Sequence, residues 1–270
     1  MSYLQVGSGR VDVAVCQYEQ SRLWFRGPEK RPDKSSVVCV GGDETFGRFV
    51  DQPFPSVLEG RVGKCCVNLG SLFAGAEALV RDQGILNLVN GSGLCVLQIP
   101  GLAGQSNPFY RVHPRRNDRF LEPTRRLVDL YPEVDFTEFH FVKHLLTRLL
   151  DLGAARFALL AQGLQDQWCQ SLQSFLERVG PPVILLWLRV HRQSPCDVGR
   201  QLQIDRPMVE QFRSQCAGIV ELSVSVAGAS DELEDVLFGT LQQPMAEHMI
   251  GPAAHRAIAD ALVPVIQDLN

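Results

Sequence analysis

VVCVGGDETFG, residues 37–47, decides the fold. Four apolar, β-prone residues, Val37, Val38, Cys39 and Val40, run into Gly41 and Gly42 and then Asp43, Glu44 and Thr45. An unbroken apolar run of this length fits a strand buried on both faces, as in a parallel sheet, and the glycines fit a sharp turn into a helix. In open α/β sheets, the turn at the carboxyl edge of a strand is where ligands bind and nucleophiles are presented. Asp43 or Thr45 would serve equally well as an N-cap for free backbone N–H groups, so the meaning of the turn depends on its neighbours.

Working outward, apolar runs at 65–69, 94–99, 183–190 and 218–226 read as further strands. Helical sequence is expected between them, at 55–62, 74–81, 136–152, 157–179 and 206–216, with a closing helix at 255–269. Alternating β and α segments with near-continuous apolar strands imply a parallel sheet covered on both faces. Residues 1–34 read as an N-terminal extension or hairpin, closed by Gly27, Pro28 and Pro32, and 35–270 as one α/β domain. The stretch 101–121, rich in Arg and Asn, reads as a long polar loop of the kind usually kept for function.

Composition narrows the function classes. A chain of 270 residues, 45% hydrophobic, can bury one substantial core. No apolar run approaches the roughly 20 residues that cross a bilayer, and no membrane partner is expected. A net charge of −4 makes no electrostatic case for nucleic acid. MSYLQVGSGRVDVAV lacks the basic start and apolar core of a signal peptide, so a cytoplasmic location is expected. Eight cysteines without zinc-type spacing read as reduced thiols, with Cys16, Cys39, Cys95 and Cys196 as small buried hydrophobes. Neither a metal nor a cofactor is expected. Residues 41–47 lack the Lys-Ser/Thr of a phosphate-binding P-loop and the spacing of a dinucleotide turn.

Loops after the first three strands carry suggestive residues: the 41–47 turn, NLGSLFAG at 68–75, and GQSNPFY at 104–110 with Asn107. EHMIGPAAHRAIADAL adds His248 and His255 just before the expected last helix. This order resembles the SGNH (GDSL-like) hydrolases, which implies a three-layer α/β/α sandwich around a five-stranded, mainly parallel sheet, SGNH-hydrolase or flavodoxin-like. In that family a serine attacks an acyl carbonyl, a histidine takes its proton, and a glycine amide and an asparagine hold the oxyanion. By this resemblance the serine position falls on Asp43 or Glu44, with Thr45 as a displaced hydroxyl. Gly75, or alternatively Gly70, and Asn107 take the oxyanion positions, and His248 or His255 that of the base. Neither Asp43 nor Glu44 is a serine, Pro108 follows Asn107 where the family has Asp, and Met245 or Pro252 stands where it has the orienting Asp. SNPFYRVHPRRNDRF at 106–120 and YPEVDFTEFHF at 131–141 are more similar still to a bacterial family that carries no assigned activity.

His113, Arg115, Arg116 and Arg119 gather in seven residues of a mildly acidic chain. Guanidinium forks suit carboxylate, sulfate or phosphate oxygens, though the same side chains could simply pair with Glu122, Asp129, Glu133 or Asp135. Two functions follow as expectations. The first is an SGNH-like esterase or acyltransferase acting on an ester, such as an O-acyl group on a carbohydrate. The second is a catalytically inactive relative that binds an anionic or sugar-like small molecule.

Overall fold

The structure is a computed structural model that describes residues 13–191, 197–230, 236–237 and 240–269. Val11 and Cys196, included in the sequence readings above, lie outside the described residues. Strands β1 (Val15–Cys16) and β2 (Phe25–Arg26) pair antiparallel as a short hairpin. A parallel five-stranded sheet follows, built from β3 (Val37–Gly41), β4 (Cys66–Gly70), β5 (Leu94–Gln98), β8 (Val183–His191) and β9 (Gly218–Ser225). Between them, β6 (Tyr110–His113) and β7 (Arg116–Pro123) form a second antiparallel hairpin.

The large sheet runs β4-β3-β5-β8-β9, the doubly wound order, and every neighbouring pair is parallel. All residues of β3 and β5 are buried, which is why both read as unbroken apolar runs. Helices Phe54–Val62 and Pro252–Gln267 cover one face with Phe54, Leu58, Ile258 and Leu262. Helices Ala76–Arg81, Gln83–Gly91, Val142–Asp151 and Ala154–Arg178 cover the other. The result is a three-layer α/β/α sandwich.

Several expectations are corrected. The polar stretch 101–121 is not a loop throughout: Tyr110, Val112 and Phe120 turn inward, and β6 and β7 form around them. The helix expected over 136–152 begins only at Val142. Before it, the His140 carbonyl accepts from the Phe120 N–H (3.1 Å) and Phe141 pairs with Arg119, which commits that backbone to β7. The helix expected over 206–216 stops at Glu210 and resumes only as a single tight turn, Arg213–Gln215. Helices Gln83–Gly91 and Arg125–Leu130 emerge without having been anticipated; the first is N-capped by Asp82, whose carboxylate accepts from the Ile85 N–H (3.0 Å). The last helix starts at Pro252, so His255 lies inside its first turn rather than before it. Among the described residues no helix is long and apolar enough to cross a membrane.

Candidate functional site

The doubly wound order has its switch point between β3 and β5, and the crevice beyond their carboxyl ends is where such sheets take ligands. Here polar side chains fill it. Gln98, the last residue of β5, accepts through Oε1 from the Thr45 hydroxyl (2.5 Å) and Thr45 N–H (3.2 Å), and donates through Nε2 to Glu44 (2.7 Å). Thr45 is fully buried. Gly41 is required beside it, because a Cβ there would stand 1.9 Å from the Thr45 hydroxyl oxygen. Gly70 at the end of β4 is likewise required, since its Cβ would stand 2.2 Å from the Phe46 nitrogen. The 41–47 turn is thus wedged against two strand ends.

Asp43 begins the helical turn Asp43–Phe46, and its carboxylate accepts from the Phe73 N–H (3.2 Å). Burial, aided by the negative charges of Glu44 and Asp118, pushes its pKa up to about 7, against the pull of that hydrogen bond and Arg48. Phe73 holds φ at +60°, a conformation that costs a bulky residue of order 1–3 kcal/mol. Its surroundings impose it: Asp43 takes its N–H, its carbonyl accepts from the Asn117 N–H (3.0 Å), and its ring lies 4.0 Å from the Arg116 guanidinium. Nothing in the sequence marks Phe73, because positive φ is ordinarily signalled by glycine or asparagine.

Asn117, not Asn107, reaches the second loop. Its buried Oδ1 accepts from Gly75 (2.8 Å) and Ala78 (3.0 Å) N–H groups, while its Nδ2 donates to the His113 carbonyl (3.0 Å). Gly75 therefore does not offer a free N–H, and the alternative, Gly70, donates its own to Asn68 (2.8 Å). Asn107 is also spent within its own loop: Nδ2 donates to the Gln105 carbonyl (2.9 Å), and Oδ1 accepts from the N–H groups of Phe109 (2.9 Å) and Tyr110 (3.2 Å). Gly75 and Asn107, which the resemblance gives the two oxyanion positions, are thus each bonded elsewhere, Gly75 to Asn117 and Asn107 within its own loop.

The two histidines are placed differently with respect to the turn. His255 is fully buried with its ring against Gly47, whose added Cβ would stand 3.3 Å from the His255 Cε1; its Nδ1 accepts from the Phe54 N–H (3.0 Å), and its Nε2 has no hydrogen-bond partner among the described residues. Burial and the nearby Arg26 push its pKa down to about 3, so the ring is neutral at ordinary pH. His248 is exposed, and among the described residues no side-chain bond joins it to Asp43 or Thr45.

An open cavity of about 430 Å³ lies beside this network. The β1–β2 hairpin supplies one wall, with Arg22 and Trp24. The β6–β7 turn supplies further lining with His113, Arg115 and Arg116, and Phe46, Ser71 and Leu72 complete it. Of the expected arginine set only Arg119 stays away; it lies 4.1 Å from the Phe141 ring. Arg116 pairs with Asp118 through Nε (3.2 Å) and Nη2 (2.8 Å), rather than with any of the carboxylates named from the sequence. His113 shapes the turn, its Nδ1 accepting from the Arg115 (3.3 Å) and Arg116 (3.2 Å) N–H groups. Arg22 and Trp24 were missed because only the tertiary fold brings them here; a Trp two residues from an Arg in a turn-rich segment was the one sign in the sequence. Among the described residues no cluster of His, Cys, Asp and Glu is placed to hold a metal.

Among solved structures, the chain is similar to a protein of Desulfitobacterium hafniense assigned to the G-D-S-L lipolytic family, with 14% identity over 86% of this chain and 99% of that one and a TM-score of 0.43. It is similar to a Lactobacillus plantarum protein, with 11% identity over 87% of this chain and 98% of that one and a TM-score of 0.42. It is also similar to a family two carbohydrate esterase of Clostridium thermocellum solved with cellohexaose, with 9% identity over 91% of this chain and 67% of that one and a TM-score of 0.42. At such identities the activities of those proteins do not transfer to this one. No curated protein matches the sequence. Over residues 1–270 the chain matches, and belongs to, the family described as a domain of unknown function, DUF6473.

Proposed function

We propose that this chain is an SGNH-like protein that binds an anionic, sugar-like small molecule in the cavity between its two hairpins and carries no serine-type esterase chemistry. The observation that carries this reading is the cavity lining: three arginines, a histidine and an exposed tryptophan around about 430 Å³. A space of that volume suits a small metabolite. The rest of the site supports binding over hydrolysis. The only hydroxyl on the turn, that of Thr45, is buried and donates to Gln98, and each oxyanion donor expected from the resemblance has another partner. A histidine with a pKa near 3 does not deprotonate a hydroxyl at neutral pH.

A second reading retains catalysis, and Asp43 is the observation in its favour. A carboxyl poised near pH 7 is suited to general acid–base work on a bound ester, as esterase or acyltransferase, whether or not a histidine takes part. One experiment separates the two. Calorimetry should detect binding of glucuronate or glucose 6-phosphate to the wild type, weakened at least several-fold by Arg115→Ala, with no turnover of p-nitrophenyl acetate or acetylated xylo-oligosaccharides. Turnover that vanishes in Asp43→Asn would establish the second reading. An absence of binding by any anionic sugar would overturn the first.

A further inference from the structure

The cavity walls differ in how their charges are answered, and this deepens the ligand-binding reading on which the following inference rests. Arg116 is already neutralised by Asp118 and packed on Phe73. The exposed guanidinium groups of Arg22, on the first hairpin, and Arg115, on the second, have no carboxylate partner among the described residues, although the Arg22 backbone N–H donates to Asp82 (3.1 Å). Two unanswered guanidinium groups, one from each hairpin, therefore line one cavity. A carboxylate, with two coplanar oxygens and a single charge, is satisfied by one fork. A phosphomonoester carries a charge between about −1.5 and −2 and three terminal oxygens, enough to occupy both forks at once.

Neither wall is loose. Arg26 on β2 donates to the carbonyls of Gly47 (2.5 Å), Val50 (3.1 Å) and Asp51 (3.1 Å), which fastens the first hairpin to the segment after the 41–47 turn. The second wall is tied by His113 within its own turn and by Asn117 to Gly75 and Ala78. The backbones that carry Arg22 and Arg115 are thus tied down before a ligand arrives, which lowers part of the ordering cost of binding. Trp24, 55% exposed on the Arg22 wall, adds a flat apolar surface for the C–H face of a sugar ring.

We propose that the cavity is a phosphoryl clamp whose ligand is a phosphomonoester of a sugar-like molecule, with its phosphate bridging Arg22 and Arg115 and its ring on Trp24. Glucose 6-phosphate, glucose 6-sulfate and glucuronate, titrated at pH 8 into the wild type, Arg22→Ala, Arg115→Ala and Trp24→Ala, test it. The sulfate ester keeps the tetrahedral shape and removes one negative charge. The clamp requires glucose 6-phosphate to bind at least tenfold more tightly than the sulfate, with each arginine variant losing about tenfold for the phosphate. Trp24→Ala should weaken glucose 6-phosphate and leave inorganic phosphate unchanged. All three side chains are exposed, and unchanged thermal unfolding checks that the variants remain folded. Equal affinity for the phosphate and sulfate esters, or undiminished phosphate binding by Arg22→Ala, overturns the clamp. Glucuronate bound as well as the phosphate rejects the clamp but leaves the anionic-ligand reading standing, whereas no binding of any of the three by the wild type rejects both.

Discussion

Asp43 gathers the strongest local conflict in this molecule. Its carboxylate holds the N–H of a Phe73 strained at φ +60°, beside Glu44 and Asp118 and under the pull of Arg48. In the unfolded chain this carboxyl loses its proton near pH 4, and in the folded protein near pH 7. Between those values the folded state holds a proton the unfolded state has released, so this group's contribution to stability falls as pH rises from about 4 to 7 and levels above. Asp43→Asn should remove that slope, making the variant the more stable protein at pH 8 by at most about 4 kcal/mol and by much less at pH 4. Urea unfolding of both proteins at the two pH values checks it, and an identical difference at both would refute the burial argument. His255 acts in the opposite sense: its pKa is pushed down to about 3, so its contribution is lost as pH falls from about 6.5 towards 3.

At the scale of elements, two short antiparallel hairpins decide what the large parallel sheet can bind. The β1–β2 hairpin is held by Leu23 and Phe25, buried in the core, and by the buried Arg26, whose guanidinium serves three backbone carbonyls. Arg26→Ala would leave those acceptors without their donor and a void beside Gly47, for an expected loss of about 2–4 kcal/mol. Hydrogen exchange should quicken in residues 14–27 and 47–52 while β3 and β5 keep their protection; unchanged exchange in the hairpin would show that the surrounding packing suffices. The β6–β7 hairpin depends similarly on Asn117, whose carbonyl oxygen ties it to Gly75 and Ala78. Turn chemistry at Gly27, Pro28 and Pro32 suggested a hairpin in the first segment, but the second carries arginines on its outward positions, which made a strand resemble a polar loop.

Across the whole molecule, the sheet separates two apolar clusters that share only the strands between them. Ile85 on one face and Ile258 on the other are both fully buried. Ile85→Val and Ile258→Val should each cost about 0.5–1.5 kcal/mol, and their double variant the sum within about 0.5 kcal/mol, because they have no common partner. Chemical denaturation of the single and double variants measures this, and a larger departure from additivity would mean that strain passes through the sheet.

The five long strands and the α/β class were determined by sequence alone. Strands buried on both faces demand unbroken apolar runs, and Val37 to Val40 or Val183 to Leu186 admit little else. The turn at 41–47 was legible for the same reason, being the glycine-rich exit from such a run. What the polar groups do was decided only by the tertiary structure. Asn107 and Asn117 look equally eligible in the sequence, yet one closes its own loop and the other reaches 42 residues back to Gly75. Gln98 joins Thr45 across 53 residues, and Arg22 and Arg115 line one cavity because Leu23, Phe25 and Arg26 fasten the first hairpin to the rest of the fold. Apolar burial is a property of each segment, written in its own composition. A hydrogen bond or a facing charge is a property of two segments, and its partner exists only once the chain has brought them together.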